Sequence, residues 1–155
     1  VKNCKLSWAL VIVLLTMVIW MGYKFFVGEV GPSEDGRQTV LVSKDERNLL
    51  LHEMRGLLEA SQGILAAVSK NDFDAVSKLA RASGMSVAAA GPESVLRKLP
   101  AEMKVLGFDT HRKFDDIAVD AEKFRDERRV IEKLSILMSN CIACHATYRF
   151  VEKSQ

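Results

Sequence analysis

The hydrophobic and polar positions divide the chain into an uncharged opening, a polar interval and a long stretch with helical periodicity. Residues 6–23 carry no charged side chain, and at 1.5 Å rise per residue they extend about 27 Å, close to the thickness of a bilayer's hydrocarbon core. Lys24 can snorkel while residues 25–27 lengthen the apolar run. Trp8 at one end, and Trp20 with Tyr23 at the other, match the aromatic belts of the two membrane interfaces. A transmembrane helix is therefore predicted, with lipid contact over residues 6–27. Residues 28–42, holding Gly28, Gly31, Pro32, Ser33 and Gly36, are expected to form a breaker-rich linker that ends in a short apolar patch.

From residue 43 the apolar positions recur at helical spacing. Ser43-Lys44-Asp45-Glu46 is a capping box, in which the Ser hydroxyl accepts from the third helical amide and the Glu carboxylate reaches back to the Ser amide. The helix it starts should run to about residue 70. Leu50, Leu51, Met54, Leu57, Leu58, Ser61, Leu65 and Val68 lie within about 60° of one line at 100° per residue, with Met54 at the centre. Asn71-Asp72 offers a turn and an N-cap for a shorter helix carrying Phe73, Val76, Leu79 and Ala80, which Gly84 can end.

Residues 85–100 read as a connector broken at Gly91-Pro92, with room for one short helix. A third long helix is expected from Pro100 to about Phe124, with Phe108, His111, Phe114, Ile117, Ala118 and Ala121 inward and Gly107 as a weak point. Asp126-Glu127 opens the last helix, whose apolar face (Val130, Ile131, Leu134, Leu137, Met138) is predicted to continue through Tyr148. No useful strand-like alternation is visible. The expected architecture is all-α: a cytoplasmic tip and anchor over residues 1–27, a linker over 28–42, and an antiparallel four-helix bundle over 43–155.

Composition changes this picture only at the amino end. Residues 1–30 hold Lys2, Lys5 and Lys24 against Glu29, so the 19 basic and 19 acidic residues that follow cancel. Such neutrality gives no basic stripe for nucleic acid and no charge excess to name a redox partner. Lys2 and Lys5 place the amino end in the cytoplasm by the positive-inside rule, so the domain is expected on the periplasmic face of an inner, cytoplasmic membrane, held by a single pass. A secretory signal is the alternative. The apolar run is long for one, and Gly28-Glu29-Val30-Gly31-Pro32 offers no clear cleavage site, which favours an uncleaved anchor. Cys4 then reads as a reduced cytoplasmic thiol.

The chemistry is concentrated near the carboxyl end, in Cys141-Ile142-Ala143-Cys144-His145. On one helical face two thiols at i and i+3 can bond the two vinyl groups of a porphyrin, and the imidazole of the following residue can reach the iron. This predicts one covalently bound haem c with His145 as the proximal ligand. A redox dithiol would call for a βαβ setting, whereas the residues ahead of Cys141 are helical. A zinc site would need further ligands, and the only other cysteine is Cys4.

With Ala146-Thr147-Tyr148-Arg149 following the motif, and four helices in this order, residues 43–152 resemble the cytochrome c prime family and its low-spin relatives. The resemblance implies a haem held between the first and last long helices, and places Arg149 near it. In the family the first long helix supplies either a methionine or an apolar residue at the distal position, which falls within one residue of Met54, the expected distal ligand. Leu51 would line an open iron site if Met54 packs elsewhere, and His111 is the alternative distal ligand. His52 lies about 160° from the Met54 line and points to solvent. Met85 and Met103 have no positional argument. A closed iron suits electron transfer with a membrane redox complex or periplasmic carrier. An open iron suits binding of nitric oxide or carbon monoxide by a sensor or scavenger. Neither reading makes the chain an enzyme by itself. The family's homodimers make a second copy a further partner, although the anchor carries no G-x-x-x-G. The family is usually soluble, so the anchor is a departure from it.

Overall fold

The computed structural model describes residues 2–153, with side chains from residue 6 onward. The side chains of Lys2, Cys4 and Lys5, on which the orientation and thiol expectations rest, lie outside the described residues. Helix α1 (Lys2–Val27) contains a span, Leu6–Val27, long and apolar enough to cross a membrane, and it is unburied by the rest of the chain.

The domain that follows is mostly helical. Helix α2 (Lys44–Val68) begins at the predicted capping box: the Ser43 hydroxyl accepts from the Glu46 amide, and the Glu46 carboxylate accepts from the Ser43 amide at 2.7 Å. Asn71, with φ at 55°, turns the chain into α3 (Phe73–Arg81), whose N-cap Asp72 accepts from the Ala75 amide. Two short helices, α4 (Met85–Ala89) and α5 (Glu93–Lys98), make up the connector. Helix α6 (Ala101–Phe124) passes through Gly107 without a break. Arg125 in the left-handed region and Asp126 as N-cap then reverse the chain into α7 (Glu127–Thr147).

Two expectations are corrected. Residues 28–42 are not a free linker: they contain β1 (Val30–Gly31) and β2 (Gln38–Val42). The last helix does not continue through Tyr148 either, because Tyr148–Glu152 forms β3. Strand β2 pairs antiparallel with β1 (Val30 opposite Val40) and parallel with β3 (Val40 opposite Phe150). Thr39, Val40 and Val42 are buried, and Tyr148-Arg149-Phe150-Val151 supplies the aromatic and β-branched residues that fit a pleated surface. Parallel strands need a long crossover, and here the entire helical domain provides it. So short a strand has no periodicity to read, and its partner lies at the far end of the sequence.

The core is divided. One cluster, around Ile64, Val76, Phe114, Ile117, Val130, Leu134 and Leu137, joins α2, α3, α6 and α7. The other, around Val40, Val42, Leu50, Val95, Leu99, Met103 and Tyr148, joins the sheet to α5 and to the first turns of α2 and α6. Helix α3 packs on α6, α6 on α7 and α2 on α3, while α2 and α7 touch little. The gap this leaves, between the two clusters, forms the candidate site.

Candidate functional site

A cavity of about 500 Å³, within the usual range for small-molecule and cofactor sites, lies between α2, α5, α6 and the end of α7. Its α7 wall carries Met138, Cys141, Cys144 and His145, and its α2 wall carries Leu50, Leu51, Met54, Leu57 and Leu58. Leu99, Met103 and Leu106 line the α5–α6 side, and Phe150 of β3 closes one end. The sequence-predicted chemistry is thus brought together: the two thiols and the imidazole on one wall, with Met54 and Leu51 on another.

The thiols lie in the last two turns of α7. Cys141 is exposed and Cys144 half-buried; desolvation pushes both thiols above the ordinary range, and for Cys144 the neighbouring Cys141 adds to the effect. A helix C-terminus carries partial negative charge, which also opposes a thiolate. Redox dithiols and nucleophilic cysteines have the reverse arrangement, with a depressed pKa at a helix N-terminus. Neither shift favours the thiolate that a redox dithiol needs. No three His, Cys, Asp or Glu side chains converge as a metal cage among the described residues. Two neutral thiols and an imidazole on the wall of an apolar cavity do fit a covalently attached porphyrin.

Asn140, adjacent to Cys141, fixes this turn of α7 against α6 by donating to Asp109 Oδ2 at 2.8 Å and to Thr110 Oγ1 at 3.3 Å. His111 also lines the cavity, and its Nδ1 lies 2.7 Å from the Ser83 carbonyl oxygen. A carbonyl only accepts, so Nδ1 carries the proton and Nε2 of the neutral ring keeps its lone pair. The Ser83 backbone carbonyl is thus the partner of this histidine. The same bond would fix the ring's tautomer and orientation if Nε2 served as a ligand.

Arg149 is placed differently from the expectation. It is half-buried on β3, where Nη1 donates to Ser33 Oγ at 3.3 Å and lies 3.5 Å from Asp35 Oδ2. Successive side chains of a strand alternate between its faces, so the strand that sends Tyr148 and Phe150 to the domain interior turns Arg149 towards the loop between β1 and β2. It does not line the cavity. His52 is exposed, as expected. Met103, without a positional argument from sequence, is buried and lines the cavity. The signal was present: at 100° per residue Met103 falls on one line with Thr110 and Phe114. Met85 stands apart, its amide donating to Asp115 Oδ2 at 2.8 Å.

Comparison with protein-family models, with curated proteins and with solved structures returns no significant match for this chain.

Proposed function

We propose that this chain is a membrane-anchored c-type cytochrome of four-helix-bundle type that carries one haem c and transfers electrons. Its partner would be a membrane redox complex or a periplasmic carrier, met at the outer face of the cytoplasmic membrane. The observation that carries the proposal is the cavity, with Cys141, Cys144 and His145 on its α7 wall and Met54 on its α2 wall. The bound haem would supply reversible one-electron chemistry at its iron. The chain's own residues hold and shape that site. Cys141 and Cys144 would give the two thioether bonds, His145 the proximal nitrogen and Met54 the distal sulfur. Leu50, Leu57 and Leu99, which line the cavity, would help exclude water from the bound group, and low local polarity would help set its potential.

One observation favours a second reading. Leu51 and Leu58 share the α2 wall with Met54, so a small shift of the methionine leaves an apolar pocket suited to nitric oxide or carbon monoxide. Absorption spectra of the ferric and ferrous protein, with and without carbon monoxide, separate the two. A low-spin spectrum indifferent to the gas, turned high-spin by Met54→Ala, is expected for the electron carrier. A high-spin spectrum that responds at once to the gas would replace it with the gas-binding reading. A low-spin spectrum unchanged in Met54→Ala but lost in His111→Ala would give the distal place to His111.

A further inference from the structure

The joint between α1 and the domain is bonded at several points. Gly28, with φ at +75°, closes α1 as a left-handed residue just past the helix end, and its amide donates to the Lys24 carbonyl at 3.0 Å. A Cβ at this position would meet the Lys98 carbonyl oxygen at 2.5 Å and the Pro100 nitrogen at 2.8 Å, so only glycine fits the approach to the α5–α6 corner. The Glu29 amide then donates to the Lys98 carbonyl at 2.9 Å, and the Glu29 carbonyl accepts from the Leu41 amide at 2.8 Å. From the other side, the Lys104 ammonium donates to the Phe25 carbonyl at 3.1 Å and lies 4.2 Å from the Phe25 ring centre. A cation is favoured there, because the last carbonyls of α1 lack helical partners and its dipole is negative at that end. Burial holds the Lys104 pKa below its ordinary value.

A flexible chain over residues 28–42 would have a root-mean-square reach of about 20 Å. These bonds remove that freedom. Phe25 is two residues from the end of the apolar span Leu6–Val27, so a side chain bonded to its carbonyl sits within one helical turn, about 5.4 Å, of the end of that span. Val105, beside Lys104 on α6, is 66% exposed.

We propose that the domain is locked onto α1, so that the start of α6, with exposed Val105 and cavity-lining Lys104, lies against the lipid surface. The proposal rests on the reading of α1 as a membrane helix and is independent of what fills the cavity. It fixes one wall of the cavity at the bilayer boundary, where a partner moving within the membrane meets it at one orientation.

The test uses the full chain in vesicles of phosphatidylcholine and phosphatidylglycerol, with photoreactive benzoylphenylalanine placed at Val105 or, as a control on α7, at Ile136, which is 52% exposed. Lipid adducts are expected at 105 and not at 136. The amides of Glu29 and Leu41 should exchange with solvent on the order of tenfold more slowly than in Gly28→Val, which cannot keep the joint. Lys104→Met provides a second variant that leaves the Gly28 turn intact and should also speed exchange at Glu29. Rapid exchange in the parent protein, or equal adducts at both positions, would overturn the proposal while leaving α1 a membrane helix. Release of the chain from vesicles by alkaline carbonate would instead remove the membrane-helix reading, and the proposal with it.

Discussion

Glu46→Gln tests how the two cavity walls are held together. One oxygen of the Glu46 carboxylate accepts from the Ser43 amide at 2.7 Å and from the Lys98 ammonium at 2.6 Å, tying the first turn of α2 to the end of α5. The carboxylate side chain is 14% exposed and the lysine 26%. These bonds, that from Lys98 first, lower the Glu46 pKa from 4.5 to about 2. At about 1.36 kcal/mol per pH unit this corresponds to a ceiling of roughly 3 kcal/mol. Glutamine still reaches the Ser43 amide, so the capping box survives and the charge alone is lost. The expected cost at neutral pH is about 1–2 kcal/mol, seen as a fall in melting temperature of about 3–6 °C. The folded carboxyl titrates below the unfolded one, so its contribution is complete above about pH 4.5 and is lost as the pH falls towards 2. Wild type and variant should therefore converge in stability across that window. Equal melting temperatures at pH 7, or a gap that persists at pH 2, would mean that the Glu46 charge does not stabilise this contact.

Two further outcomes follow from the site. Arg149→Ala should leave the visible spectrum unchanged and cost about 0–1 kcal/mol in urea unfolding, because its contacts with Ser33 and Asp35 are on the outer face of the sheet; a spectral shift would put the guanidinium in the cavity after all. In protein made without haem, half-buried Cys144 should react with iodoacetamide more slowly than a free cysteine at pH 7, since burial favours its neutral thiol. Rapid alkylation at pH 7 would contradict that.

How much of this was legible depended on how local each signal is. The α2 capping box, the Asp72 and Asp126 N-caps and the start of α6 are set by neighbours in sequence, and each is found where the residues place it. The sheet was not legible, because β2 acquires its meaning only from β3. The inward stripe of α2 was read too uniformly. Leu58 and Leu65 are exposed while Ala60, Ile64 and Ala67 are buried, since α2 packs on α3 through its second half and faces the cavity with its first. Periodicity gives the direction of an apolar face and says nothing of whether protein or a void lies opposite. Conversely, Cys141, Cys144 and His145, singled out by their spacing, and Met54, singled out by the centre of a stripe, line one cavity. Arg149 was misplaced for one reason, the extension of α7 beyond Thr147: a residue's face is only as good as the element assigned to it.

Whether a haem is held covalently is read from the intact mass of the full chain, produced in cells that mature c-type cytochromes. The expected mass is that of the polypeptide plus one haem, with the haem retained after extraction with acidified acetone and absent from the Cys141→Ser, Cys144→Ser double variant. A chain recovered at its bare polypeptide mass, or carrying haem that the acetone removes, would contradict it.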